Sequence, residues 1–361
     1  MEKYTDFDSA RAENFAGSLI DTLNKTALSF MISIGHRSGL FDAMSQMDYA
    51  TSNEIATRAK LNERYVREWL GAMVTGGIVG YSAESKTFKL PAEHAAFLTR
   101  KAGADNISVF MQYAAVMGEV EDDILKCFQE GGGVPYSKFH RFHEVMAEDS
   151  GQSVLSSLES HILPLVPGLV EKMQTGIKVL DVGCGSGRII NKLASLFPKS
   201  HFTGMDLSVE AIERAKKEAK ALALSNVEFI VKDLSDFNET APVEKYDFIT
   251  TFDAIHDQGK PLNVLKGIYR ALKKNDGIYL MQDISGTSHL DEDKNHPIGT
   301  FLYTISCMHC MTVSLAQHGE GLGAMWGEEK TKEYLSKAGF TSVQANKLAH
   351  DIQNNWYVVK K

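Results

Sequence analysis

The chain has 361 residues, 43% of them hydrophobic and 9% aromatic, which is enough apolar material for about two packed domains. Its 38 Lys and Arg against 46 Asp and Glu give a net charge of −8, so no whole-molecule positive field exists to attract nucleic acid or an anionic membrane. Four cysteines, Cys127, Cys184, Cys307 and Cys310, cannot form a disulfide framework in so long a chain, and a reducing compartment is expected. Residues 1–15 mix acids and bases without the apolar stretch of a secretory signal, and they are too acidic for a transit peptide. A cytoplasmic protein is expected.

Apolar residues recur at helical spacing from Leu19 through Leu23, Ala27, Phe30 and Ile34, and Gly39 ends that element. Ser52 with Glu54 starts a short helix. Asn62 caps a second one running to Thr75, with Tyr65, Val66, Trp69, Leu70 and Met73 inward, and Gly76-Gly77 stops it. Strands at 78–81 and 87–90 flank a turn at 83–86, so helix, helix and hairpin form a winged-helix pattern. Residues 98–176 read as mostly helical, interrupted by the loop Gly131-Gly132-Gly133-Val134-Pro135.

Beyond that the chain alternates strand and helix. Strands are expected at 178–182, 201–205, 227–231, 248–252, 277–282, 342–348 and 356–360, and helices at 188–196, 209–223, 261–271 and 328–338. The fold class is therefore α/β: a doubly wound seven-stranded sheet, preceded by a mainly helical winged-helix domain. The last two strands are too close in sequence for a crossover helix, which makes them an antiparallel hairpin at the sheet edge. The expected division is residues 1–102, 103–174 and 175–361.

Asp181-Val182-Gly183-Cys184-Gly185-Ser186-Gly187 follows a hydrophobic strand and opens the helix at Arg188. Such a turn lets backbone approach a ligand where a side chain would collide, with helix N-terminal amides facing it. The next strand ends in Asp206, placed for ribose hydroxyls. Together they specify an adenosine-type cofactor site. A nicotinamide dinucleotide needs G-x-G-x-x-G/A, and Arg188 stands at the third glycine position.

The glycines read G-x-G-x-G, and the segment resembles motif I of class I S-adenosylmethionine-dependent methyltransferases from about Thr175 onward. The resemblance implies S-adenosylmethionine as cofactor. Asp181, Gly183, Cys184, Gly185 and Gly187 would hold its methionine part, Asp206 and Leu207 the ribose, and Asp233 with Leu234 the adenine. Phe252 and Asp253 would border the sulfonium. The glycine-rich loop, Phe252 to Gln258 and the segment from Ser314 to Gly327 are similar to a subgroup with an N-terminal winged-helix domain, which includes small-molecule O-methyltransferases. That subgroup implies homodimerisation through the small domain, and it brings Tyr136 and His140 to the substrate pocket.

On the acceptor side, His256 after the fourth strand is the first candidate for a general base, oriented by Asp257, because imidazole titrates near working pH. The 25 residues from Asn295 to Gly319 carry no charge. They are too polar to span a bilayer, and with the residues up to Gly327 they are expected to form a lid and acceptor pocket holding Met308, Trp326 and a second base candidate, His309. Cys307-Met308-His309-Cys310 lacks a partner pair for zinc, so no metal is expected. The small domain also admits another reading, a winged-helix transcription regulator that senses S-adenosylmethionine. Its recognition helix would carry Glu63, Arg64, Arg67 and Glu68, too balanced for a groove reader. A small-molecule acceptor is expected as partner, and nucleic acid is not.

Overall fold

Asp8 accepts a hydrogen bond from the backbone of Arg11 and so starts a 30-residue helix, Ser9–Ser38, in a computed structural model that describes residues 7–361. The first six residues of the expected 1–102 division lie outside the described residues. Gly39, at φ 75°, closes the helix through its backbone N–H. Only the C-terminal part of this helix packs, burying Ile32, Ser33, Gly35 and His36, while Leu19, Leu23, Phe30 and Ile34 of the apolar stripe are exposed. Trp69 Nε1 donates to Met31 O at 2.8 Å and anchors that end.

A Thr51–Glu54 capping box starts Ser52–Ala59, and Asn62 caps Glu63–Thr75. Val66, Trp69, Leu70 and Met73 are buried at spacings of three and four. Tyr65, expected inward, is 80% exposed. It precedes that stripe by one residue, which turns it roughly 100° away. β1 (Gly80–Ser82) and β2 (Thr87–Lys89) pair antiparallel and complete the winged-helix element.

The chain forms two compact units, one ending at Ala115 and the other Val116–Lys361. In the second, β3 (Lys178–Val182), β4 (His201–Asp206), β5 (Val227–Val231), β6 (Phe248–Phe252) and β7 (Ile278–Ile284) are parallel. β8 (Ser342–Asn346) and β9 (Asn354–Lys360) return antiparallel, giving the order β5-β4-β3-β6-β7-β9-β8. The final hairpin sits at the edge with β9 inside and β8 outermost.

Side chains alternate between the faces of this sheet. Val179, Phe248, Leu280 and Trp356 pack with helices Arg188–Leu196 and Val209–Ala221, while Leu180, Ile249, Met281 and Tyr357 pack with Pro261–Ala271 and Gly327–Ala338. With both faces covered, β6 and β7 are buried along nearly their whole length and not at alternate residues only. Among the described residues no single helix is long and apolar enough to cross a membrane.

The glycine triplet has a packing role. A Cβ at Gly133 would lie 2.0 Å from Thr312 O, and Val134 N donates to Thr312 Oγ1 at 2.7 Å. The loop thus lies directly on helix Met311–Ala316 and delivers Tyr136 to the strand ends. Replacing Gly133 with Ala must push that backbone away, and a loss of roughly 1–3 kcal/mol in folding stability is expected, as for other overpacking changes, measured by urea denaturation.

Candidate active site

β3 feeds its backbone into the glycine turn at the carboxyl edge of the sheet. Gly183, Gly185 and Gly187 have φ of 72°, 51° and 70°. Added Cβ atoms at Gly183 and Gly187 would strike Ala254 and Ala215 at 2.6 Å, whereas one at Gly185 would meet nothing within 4 Å. Packing therefore demands the outer two glycines, and the middle one leaves open space above the backbone. Asp206, ending β4, accepts from Gly185 N and Ser208 N, both at 2.8 Å. Each carboxylate oxygen keeps a second lone pair, so Asp206 holds the turn in shape and can still accept from a ribose.

Behind the turn, Asp181 is buried and accepts from Thr250 Oγ1 at 2.8 Å. Burial pushes its carboxyl from 3.8 to about 7, against the Thr250 hydrogen bond and with Asp206 adding repulsion. Asp233 is exposed, its Oδ1 accepting from Ser235 N at 2.8 Å, with Leu234 buried beside it. Leu207 is exposed, and Cys184 is part-buried in the turn. Open backbone, a carboxylate at the second strand tip and a polar residue after the third fit S-adenosylmethionine, a nucleoside with an attached amino acid.

β6 and β7 supply the acceptor side. His256 Nδ1 lies 2.7 Å from Asp283 Oδ1, which also accepts from Trp326 Nε1 at 3.0 Å and from the backbone N–H of Ile284. Cys310 lies beside the same imidazole. Burial alone would depress His256, but the Asp283 carboxylate, with Cys310 adding to it, carries its pKa well above the ordinary imidazole value.

Asp257 does not orient His256. It accepts from Tyr136 Oη instead, and the orienting carboxylate is Asp283. Residues adjacent in sequence just after a strand project in different directions, whereas the tip of the neighbouring strand faces His256. A carboxylate at the end of the strand following the one that carries His256 was the available signal for Asp283.

His140 is exposed, and the histidine near Tyr136 is His143, stacked on its ring at 5.6 Å. The three-residue offset carries the chain from an irregular turn into helix Phe142–Ser153. His309 lies buried face to face with Phe142, ring centroids 3.4 Å apart, and neither ring nitrogen has a partner. Burial, with His143 and His256 adding to it, holds its pKa well below the ordinary value, so His309 is neutral.

Met308 and Cys307 line an open groove of about 930 Å³ between helices Glu121–Glu130 and Gly299–Ile305, on the other side of the turn that holds His309 and Cys310. Trp326 is 4% exposed and acts through Asp283. Phe252 packs edge-on to Trp356. Asp253, at φ 48°, has Oδ1 buried without a partner. Asp253, His256 and Asp283 bring one potential ligand atom each to within 4.8 Å of one another.

Residues 26–100 match the Rv2258c-like winged HTH domain, and residues 173–339 match the family described as Methyltransferase domain. The chain is 33% identical over 134 residues to the ubiquinone biosynthesis O-methyltransferase of Actinobacillus pleuropneumoniae serotype 5b (strain L20), covering 35% of this chain and 56% of that protein. The chain thus spans about half the length of the curated relatives it matches. Human N-acetylserotonin methyltransferase, solved with S-adenosylmethionine, superposes with a TM-score of 0.67 at 19% identity over 99% of both chains. An O-methyltransferase family protein from Burkholderia thailandensis gives 0.65 at 17% identity over 96% of this chain and 98% of that one. At these identities the likeness is one of fold. In chain order, then, a segment matching a winged HTH domain precedes a segment matching a methyltransferase domain, in a fold shared with these neighbours.

Replacing Asp206 with Ala is expected to weaken S-adenosylhomocysteine binding by about 1–3 kcal/mol in calorimetry, the size of lost charge-assisted hydrogen bonds. Because Asp181 binds its proton more tightly folded than unfolded, it destabilises the cofactor-free protein progressively as pH rises from about 4 to about 7. Thermal unfolding of Asp181→Asn is expected to lose that segment of the pH dependence.

Proposed function

We propose that the protein is an S-adenosylmethionine-dependent methyltransferase acting on a small-molecule acceptor, with oxygen the favoured atom. The observation that carries this reading is the open glycine turn above Asp206 on the same sheet edge as the His256–Asp283 pair. The cofactor, when bound, supplies an electrophilic methyl on a sulfonium. The chain's own work is alignment, exclusion of water and removal of a proton.

His256 gives its Nδ1 proton's hydrogen bond to Asp283, which leaves Nε2 as the atom that takes the acceptor's hydroxyl proton while the oxygen gains the methyl. Tyr136 and Asp257 close the opposite wall. A nitrogen or sulfur acceptor that is already nucleophilic would use the same alignment without the base.

In this reading residues 1–102 serve dimerisation, 103–174 link and cover, and 175–361 bind the cofactor. Exposed Phe15, Leu19, Ile20 and Leu23 on the first helix support homodimerisation, since a contiguous apolar face is unfavourable in water. Four free cysteines fit a cytoplasmic setting. The regulator alternative finds no support in the exposed face of Glu63–Thr75, where Arg64 pairs with Glu68 and Arg67 with Glu63, so that its bases are already neutralised.

Replacing His256 with Ala is expected to lower turnover of a hydroxyl acceptor about a hundredfold or more, read by mass spectrometry of the methylated product, with cofactor affinity retained. Since His256 must be neutral to act, kcat/KM should rise with pH through its elevated pKa, and Asp283→Asn should move that limb to lower pH. Loss of stability with unchanged turnover in His256→Ala would make the residue structural. Light scattering should give twice the monomer mass, and Leu19→Lys with Leu23→Lys should halve it.

A further inference from the structure

Around the reacting centre, buried hydrogen-bond acceptors face one another with nothing to accept from. Asp253 Oδ1, Gln282 Oε1 and Asp283 Oδ2 lie at the adjoining ends of β6 and β7, where Phe252 is in register with Gln282, and all three atoms are buried without partners. His309 is 1% exposed with both ring nitrogens unpartnered. Asp253 also holds a left-handed backbone, a conformation that costs a non-glycine residue of order 1 kcal/mol or more and that clusters at binding sites.

The local charges are mostly negative, with His256 and, acting on His143, Arg214 as the exceptions. Those acting most strongly on Tyr136, Asp253, Asp257 and Cys310 come from Asp149, Asp206, Asp283, Asp351 and the site's own acidic groups, with His256 opposing. No lysine or arginine is among them. Burial raises Asp253 well above the ordinary carboxylate value, and it carries Asp257 to about 6 against the pull of His256 and Tyr136. In the proposed reading Asp181 and Asp206 face the cofactor, and Asp283 is committed to His256. Once His256 is neutral, as its role as base requires, Asp253 and Asp257 have no cation beside them, and buried carboxylates require one or a proton.

Aromatic rings lie on the Asp257 side, where Tyr136 is its hydrogen-bond donor. Tyr136 stacks on His143 and meets His309 edge-on at 5.2 Å, while Phe139 meets His309 edge-on at 4.7 Å. Ring faces attract cations, and this attraction strengthens when water is excluded.

We propose that the acceptor is a small aromatic amine bound as its ammonium, donating to Asp253 and Asp257 against the Tyr136–His143 rings, and that acceptors bearing a carboxylate are refused. This inference rests on the methyltransferase reading above and names the substrate class of the same site. It leaves the methylated atom where that reading puts it, at His256.

The test uses the full-length protein saturated with S-adenosylhomocysteine and three matched probes, tyramine, 4-hydroxyphenethyl alcohol and 4-hydroxyphenylacetate, titrated calorimetrically. Tyramine is expected to bind at least about tenfold more tightly than 4-hydroxyphenylacetate, with the alcohol between, because a buried anion beside carboxylates lacks compensation. Asp253→Asn and Asp257→Asn should each erase about tenfold of the preference for tyramine over the alcohol, a cooperative thermal unfolding transition showing that the variants are folded.

Equal or tighter binding of 4-hydroxyphenylacetate overturns the proposal, as does failure of all three probes to bind. So does saturation by Mg²⁺ or Zn²⁺ alone that displaces tyramine, which would make Asp253, His256 and Asp283 a metal site. If S-adenosylhomocysteine itself fails to bind, the methyltransferase reading falls. If it binds and the charge preference is absent, only the amine assignment falls.

Discussion

One buried carboxylate organises the acceptor half of the molecule. Asp283 is fully buried at the end of a strand covered on both faces, a place where a carboxylate is costly without hydrogen-bond donors. A single oxygen takes the imidazole of His256, the indole N–H of Trp326 and a backbone N–H. These come from the loop after β6, the segment before the last helix and β7 itself, so three stretches distant in sequence are fixed to one atom. Removing it would leave a buried imidazole and indole N–H unsatisfied at once, so the segment carrying Trp326 and the loop carrying His256 are held together through it.

Asp206 plays the corresponding part on the cofactor side, with a different balance. It is less buried, and its bonds go to backbone N–H groups of the turn and of the following loop. There the carboxylate shapes a surface open to a ligand. Asp283 closes one. The two halves of the site thus use the same chemical group for opposite ends, and exposure decides which.

Much of this was legible in the sequence because it rests on local rules. The strand at 178–182, the helices at 188–196 and 261–271 and the Asn62 cap fall where apolar periodicity and capping residues place them. The glycine turn was legible because close approach of backbone to a ligand admits few residue types. What escaped depends on neighbours in space. Asp257 is next to His256 in sequence, yet the partner lies across the sheet at Asp283, and His143 in place of His140 reflects where an irregular turn becomes a helix. Tyr65 was misplaced because it lies at the margin of the buried stripe, four residues before Trp69 but about 100° from Val66.

The segment Ser306–Cys310 is wound as a π-helix, one residue looser per turn than its flanks. Its winding sends Cys307 and Met308 to the outer groove and His309 and Cys310 into the packed interior. A partition built from a single turn has no filler between its sides. Whatever occupies the outer groove therefore presses on the same backbone that carries the imidazole's thiol neighbour.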